Sequence, residues 1–143
     1  MSEGDKRVFI SYAREDRIFA HQLGELLKQR GISVAGDLDT AFGSDLSAGL
    51  RRQIEDATAL VLLIPSQTTA NRNSIWFEAG AAKALGKPVL AVLPPGRDAG
   101  STELPTDLAG LLVLDADRRS LDSVADTLVH AVPAEQRQII AAD

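Results

Sequence analysis

The sequence predicts a doubly wound α/β domain: a five-stranded parallel sheet with helices on both faces. Three observations carry this prediction. Short apolar runs alternate with amphipathic segments along the whole chain. The run Leu60–Ile64 is apolar without alternation, which is typical of a central parallel strand covered on both faces. The length of 143 residues suits one such domain. Right-handed crossovers at this length favour the flavodoxin-like strand order 2-1-3-4-5.

The strands are predicted from short apolar runs that are bounded by turn residues. They are Val8–Ile10, Ile32–Val34, Leu60–Ile64, Val89–Leu93 and, at the sheet edge, Leu111–Leu114. The helices are predicted from apolar residues at helical spacing and from stop signals such as Gly31 and Gly86. They are Asp16–Arg30, Leu46–Asp56, roughly Trp76–Leu85 and Leu121–Val132. We expect residues 1–6 to be a disordered terminus, residues 7–132 to be the domain and residues 133–143 to be an extension or linker stump.

Composition excludes several classes of function. The net charge of −5 argues against nucleic acid as the main partner, because phosphate binding requires a basic surface. The absence of cysteine excludes disulfides, thiolate nucleophiles and Cys-ligated zinc. The alternating aspartates near Asp37 lack the spacing of a calcium loop, so we expect no metal. We also expect no membrane association and a cytoplasmic location, since no signal peptide or spanning run is apparent.

Three segments should converge at the switch point between strands 1 and 3, where ligands of such sheets bind. Strand 1 ends at Ser11, Tyr12 and Arg14, the loop after strand 2 begins at Asp37, and the segment after strand 3 leads to Glu78. The crevice holding Ser11, Tyr12 and Glu78 is therefore the predicted working site.

Three stretches carry a family resemblance: VFISYAREDR from Val8, DLDTAFGSDL from Asp37, and SIWFEAGAA from Ser74, followed by GKPV. Together they resemble a Toll/interleukin-1 receptor (TIR) domain of prokaryotic type, over nearly the whole chain. Many such domains cleave the nicotinamide–ribose bond of NAD with a glutamate, whose position Glu78 matches. The family's tryptophan often stands three or four residues before that glutamate, whereas Trp76 stands two before it.

The resemblance implies a role for each candidate residue. Glu78 would stabilise the cationic ribose, helped by a place near the first turn of its helix. Tyr12 or Trp76 would stack on a ring of NAD, and Arg14 would meet the pyrophosphate. Phe42 and Gly43 would close over the substrate. The remaining substrate-binding candidates are Asp37 and Ser74. NAD is thus expected as a substrate, with no cofactor.

Other readings of the same residues stay open. The domain could be a non-catalytic adaptor that assembles with itself or with other TIR domains through the Ala35–Leu46 loop. The segment FEAGAAKALGKPV also resembles nucleoside N-deoxyribosyltransferases. An enzyme of the TIR type would act as an effector in prokaryotic immunity such as antiphage defence, activated by self-association or by a sensor domain or partner protein. On helix chemistry alone, Glu78 could be a simple first-turn carboxylate, and Trp76 could be a core residue.

Overall fold

The structure is a computed structural model that describes residues 6–36, 52–66, 72–96 and 113–133. It contains one parallel sheet of five strands in the order β2-β1-β3-β4-β5, as predicted. The strands are β1 (Arg7–Ser11), β2 (Ser33–Gly36), β3 (Ala59–Leu63), β4 (Val89–Leu93) and β5 (Val113–Asp115). The helical segments are a 3-10 turn (Arg14–Asp16), α1 (Arg17–Gln29), α2 (residues 52–56), α3 (Arg72–Ala84) and α4 (Leu121–Ala131).

Strand β3 lies at the centre of the sheet and all its residues are buried. Alternate side chains point to opposite faces of a strand, so β3 supplies both cores. Val61 and Leu63 enter the core beneath α1 and α4. Leu60 and Leu62 enter the core beneath α2 and α3. The sheet therefore separates two apolar layers, which explains why this run shows no polar alternation.

Helices α1 and α4 lie on the same face and are joined at their surface by Arg30. Its Nε donates to Asp126 at 2.7 Å and its Nη2 donates to Asp122 at 3.3 Å. The hydrogen bond with Asp126 and the nearby charge of Asp122 raise the pKa of Arg30 above its usual value. A raised pKa of a basic group means that the guanidinium of Arg30 stays charged throughout the neutral range and loses its proton only in strong alkali.

Several element boundaries differ from the prediction. Helix α3 begins at Arg72, four residues earlier than expected, because a polar stretch forms its first turn. Strand β2 runs to Gly36 because Ala35 and Gly36 continue the pairing with β1. Just before β1, the Nζ of Lys6 donates to the carbonyl oxygen of Val129 at 2.7 Å. The proposed ends of the domain remain predictions.

Within the described segments, no helix has both the length and the apolar character required to cross a bilayer.

Candidate functional site

The candidate site lies where β1 and β3 end, next to each other at the middle of the sheet. Ser11, the last residue of β1, pairs in register with Leu62 of β3. Helix α3 packs on β1, β3 and β4 and covers this edge from one face. The strand order reverses at this point, because β2 is added on one side of β1 and β3, β4 and β5 are added on the other. Parallel α/β sheets open a crevice at the carboxyl ends of the two strands that flank such a reversal.

A hydrogen bond joins the two polar side chains at this point. The Ser11 hydroxyl donates to Oε1 of Glu78. The Ser11 side chain is fully buried and Glu78 is only 7% exposed. Burying a carboxylate is costly unless hydrogen-bond donors compensate for the lost water. Glu78 thus differs from a carboxylate on a helix surface in that a serine of another element, and not water alone, donates to it.

The sequence of α3 turns Glu78 towards the sheet. Ile75, Ala79 and Ala82 are buried at helical spacing, and Glu78 shares their side of the helix. The small alanines let the helix lie close to the strands. Because α3 begins at Arg72, Glu78 lies in the second turn, and no acidic residue occupies the first. Glu78 was expected near the first turn, and in the second turn it receives less support from the helix dipole, which acts mainly within the first turn.

The other small residues of α3 do not all serve this packing. Ala82 is buried against the sheet, whereas Gly80 and Ala81 are half-buried and Ala84 is exposed. A methyl group added at Gly80 would meet no atom within 4 Å. Close approach to the sheet therefore depends on Ala79 and Ala82, which lie on the inner side of the helix.

The structure does not bring Tyr12 together with Ser11 and Glu78. Tyr12 is 5% exposed and belongs to the core beneath α1 and α4, whereas Ser11 follows Phe9 onto the α3 face. Adjacent residues of an extended chain point to opposite faces, which is the physical reason for the separation. Ser11 and Glu78 therefore meet at this edge of the sheet, whereas Tyr12 packs in the core on the other face.

Arg14 and Trp76 lie in different environments. Arg14 opens the 3-10 turn after β1 and is exposed, as a residue that meets a substrate phosphate would have to be. Trp76 is half-buried and packs against two apolar clusters, one of which contains Ile64, Ala91 and Leu93. Its position at the ends of β3 and β4 is explained by packing.

Four predicted residues cannot be assigned a contact. Ser74 lies in the first turn of α3, and its side chain is outside the described part of the structure. Asp37, Phe42 and Gly43 lie outside the described residues, as does most of the Ala35–Leu46 loop.

Two further features after β1 and β3 were not predicted. The Ser66 hydroxyl donates to Oε2 of Glu15 at 3.4 Å and links the segment after β3 to the 3-10 turn after β1. Asp16, the last residue of that turn, is only 6% exposed, although its sequence neighbours are charged. An aspartate just before a helix signals a capping residue, and no sequence pattern distinguishes a buried one.

No group of three or more potential metal ligands occurs among the described residues.

A separate pocket of about 150 Å³ lies between β1, β2 and α2, lined by residues that include Arg7, Ser33 and Gln53. It lies near the amino ends of the first two strands, opposite to the edge that carries Ser11, so it is distinct from the candidate site.

Comparison with known proteins identifies the family. A family model described as "TIR domain" matches residues 8–129. One similar structure is the TIR domain of the Toll-related receptor TRR-2 from Hydra magnipapillata, with a TM-score of 0.62 and 19% identity over 87% of this chain and 96% of that one. The RPS4 and RRS1 TIR domain heterodimer gives a TM-score of 0.63 and 21% identity over 90% and 96%.

A third similar structure is the CMP N-glycosidase BcmB of Clostridium botulinum, with a TM-score of 0.59 and 18% identity over 88% of this chain and 99% of that one. Identities this low establish a shared fold and nothing finer. No curated protein matches the chain by sequence.

Proposed function

The chain belongs to the TIR domain family, and from that premise we propose that it is an N-glycosidase that cleaves the nicotinamide–ribose bond of NAD. Glu78 is the proposed catalytic carboxylate. The observation that carries the proposal is the buried Glu78 held by Ser11 at the carboxyl ends of β1 and β3. A carboxylate in this place is suited to meeting a developing positive charge in a partly dry crevice.

The reaction needs little from the protein beyond such an anion. The bond between the ribose C1′ and the nicotinamide N1 breaks, and its electron pair goes to the ring nitrogen. Nicotinamide therefore leaves as a neutral molecule and needs no general acid. The ribose passes through an oxocarbenium-like state, which a nearby carboxylate stabilises. Water then adds to C1′ and loses a proton, giving ADP-ribose; attack by an adenine nitrogen would give a cyclic product.

The exposed Arg14 supports a substrate that carries phosphate groups. It begins the 3-10 turn three residues after Ser11, the last residue of β1, so a pyrophosphate bound beside the crevice would be within the reach of its guanidinium group. We assign Arg14 this role within the proposal. The roles of Asp37, Phe42, Gly43 and Ser74 stay predictions.

We also propose that self-association activates the domain, in the setting of a prokaryotic immune effector. The RPS4 and RRS1 TIR domains, which have the same fold, form a heterodimer, and this pairing of two TIR domains supports the proposal. The Ala35–Leu46 loop is the proposed contact, and a sensor domain or partner protein would supply the clustering signal. The same loop would serve assembly in a non-catalytic adaptor, so assembly alone does not identify an enzyme.

The second candidate is an N-glycosidase or N-deoxyribosyltransferase for nucleosides or nucleotides. The likeness to a CMP N-glycosidase favours it, together with the motif around Glu78. The chemistry differs at the leaving group. Cytosine bonded to ribose is neutral, so its departure is helped by protonation, whereas nicotinamide departs without it. A single carboxylate therefore suits NAD better than CMP.

The test is an assay of the purified chain with NAD, CMP and a deoxynucleoside pair, at high protein concentration and with a crowding agent. We expect nicotinamide release from NAD, and we expect Glu78→Gln to lower kcat by at least about a hundredfold because the neutral amide cannot stabilise a cation. Glu25→Gln is the matched control, since Glu25 is exposed on α1 with 66% of its side chain accessible.

The other possible outcomes of this assay distinguish the candidate functions from one another. Release of cytosine or base exchange without nicotinamide release would favour the second candidate. No turnover of any substrate under forced clustering would support the adaptor. An active Glu78→Gln variant would remove Glu78 from the mechanism.

A further inference from the structure

Ser11 stands out because its side chain is both fully buried and bonded to the proposed catalytic group. The hydroxyl donates to Oε1 of Glu78, and the serine side chain has no solvent-accessible surface. Sequence reasoning assigned Ser11 to substrate binding. A substrate can touch only what a crevice exposes, so a side chain with no accessible surface is poorly placed to contact it.

We propose that Ser11 is a positioning residue that holds the Glu78 carboxylate in its working orientation and makes no contact with substrate. This inference rests on the proposed function for its catalytic consequence. The interaction between the two side chains is independent of that function and can be measured without any substrate.

The rigidity of β1 is the physical basis of this role. Strand β1 is paired with β2 as far as Ile10 and with β3 as far as Ser11, which is in register with Leu62, so the backbone of Ser11 is held at the end of a central strand. A serine side chain has one heavy-atom torsion, whereas a glutamate has three and loses more rotamer freedom when it is ordered. The hydrogen bond from Ser11 therefore restrains the carboxylate at the end of the flexible Glu78 side chain relative to a central strand.

The alternation of β1 makes Ser11 the residue that can do this. Phe9 and Ala13 share the α3 face with Ser11, and both are apolar and buried. Ile10 and Tyr12 lie in the other core. Ser11 is thus the hydroxyl that β1 directs to the α3 face, where Glu78 is buried.

The kinetic test is Ser11→Ala with NAD as substrate. A misplaced carboxylate lowers the rate of the chemical step, so we expect kcat to fall by about tenfold to a hundredfold with KM changed less than about twofold. Ser11→Thr keeps the hydroxyl and should recover part of kcat. Thr58→Val is the matched control: it removes a buried hydroxyl that bonds the backbone of Arg7 at the amino end of β1, and should leave kcat unchanged.

A second test uses stability and needs no activity. Urea unfolding of Ser11→Ala, Glu78→Gln and the double variant forms a double-mutant cycle. Because the single changes break the same hydrogen bond, we expect the loss of unfolding midpoint in the double variant to be smaller than the sum of the two single losses. Additive losses would overturn the inference, whether or not the wild-type chain is active.

The kinetic outcomes separate the two proposals. If the wild-type chain cleaves NAD and Ser11→Ala raises KM at constant kcat, Ser11 binds substrate and the inference is wrong while the proposed function stands. If the wild-type chain turns over no substrate but the cycle shows coupling, the proposed function fails and the positioning contact stands.

Discussion

At the scale of single residues, Trp76 can be assigned by what its side chain touches. It is half-buried and packs against apolar residues of two clusters, at the ends of β3 and β4. An indole in this place contributes buried apolar area, which stabilises the fold regardless of any ligand. Stacking on a nicotinamide or adenine ring would require its face to be open to the crevice instead.

We therefore predict that Trp76→Ala lowers the free energy of unfolding by about 2–3 kcal/mol, somewhat less than for a fully buried tryptophan. KM for NAD should change by less than about threefold. Urea unfolding followed by circular dichroism, together with steady-state kinetics, checks both. Unchanged stability with a KM raised tenfold or more would show that Trp76 stacks on substrate.

At the scale of elements, α3 sets the depth of the crevice. Ala79 and Ala82 are fully buried between this helix and the strands, so the distance of α3 from the sheet is limited by methyl groups. Glu78 shares that inner side and is carried towards Ser11 by the same close packing. A larger side chain at the interface would push the helix outwards.

We predict that Ala82→Leu lowers the free energy of unfolding by about 1–3 kcal/mol through overpacking. It should also reduce kcat, because it displaces Glu78. Ala84→Leu is the control on the exposed side of α3, where alanine and leucine have similar helix propensity. Thermal or urea unfolding of the two variants should differ clearly. Equal stabilities would mean that α3 can shift without cost.

At the scale of the whole molecule, the sheet separates two apolar cores, of which one adjoins the candidate site. The core beneath α2 and α3 adjoins Ser11 and Glu78. The core beneath α1 and α4 contains Leu23, Leu128 and Tyr12, on the face away from that pair. Changes in the second core should affect folding without altering the geometry of the site.

We predict that Leu128→Ala destabilises the protein by about 2–5 kcal/mol, as large-to-small changes at fully buried positions do. At a temperature where the variant remains folded, kcat for NAD cleavage should stay within about twofold of the wild-type value. Calorimetry and kinetics at 20 °C or so make the comparison. A large fall in kcat of the folded variant would show that the two cores are coupled.

Sequence reasoning predicted the order of the five strands correctly because that order depends on patterns that a chain displays locally. Strand β3 shows an unbroken apolar run because it is buried on both faces. The helices between the strands are buried on one side only, and their sequences are therefore amphipathic. The start of α3 was missed because its first turn begins with polar residues, and a polar stretch in sequence resembles a loop.

The meeting of Ser11 and Glu78 was predicted, whereas their roles stay predictions. Glu78 was singled out by its place after β3 and by the family motif, and Ser11 by its place at the end of β1. Tyr12 was grouped with them because residues adjacent in sequence were assumed to share a crevice, although alternation along the chain separates them. The burial of Asp16 had no signal in the sequence.

The sequence by itself determined that this chain forms a parallel α/β sheet, since periodicity and apolar content are local properties, and its motifs carried the family resemblance. Tertiary structure decided that Ser11 and Glu78, 67 residues apart, meet in a buried hydrogen bond. It also decided that the neighbouring Tyr12 lies in the other core. Contacts of this kind depend on which strands become neighbours, how a helix is rotated above them and how closely its small residues allow it to approach. Those quantities arise only when the elements pack together.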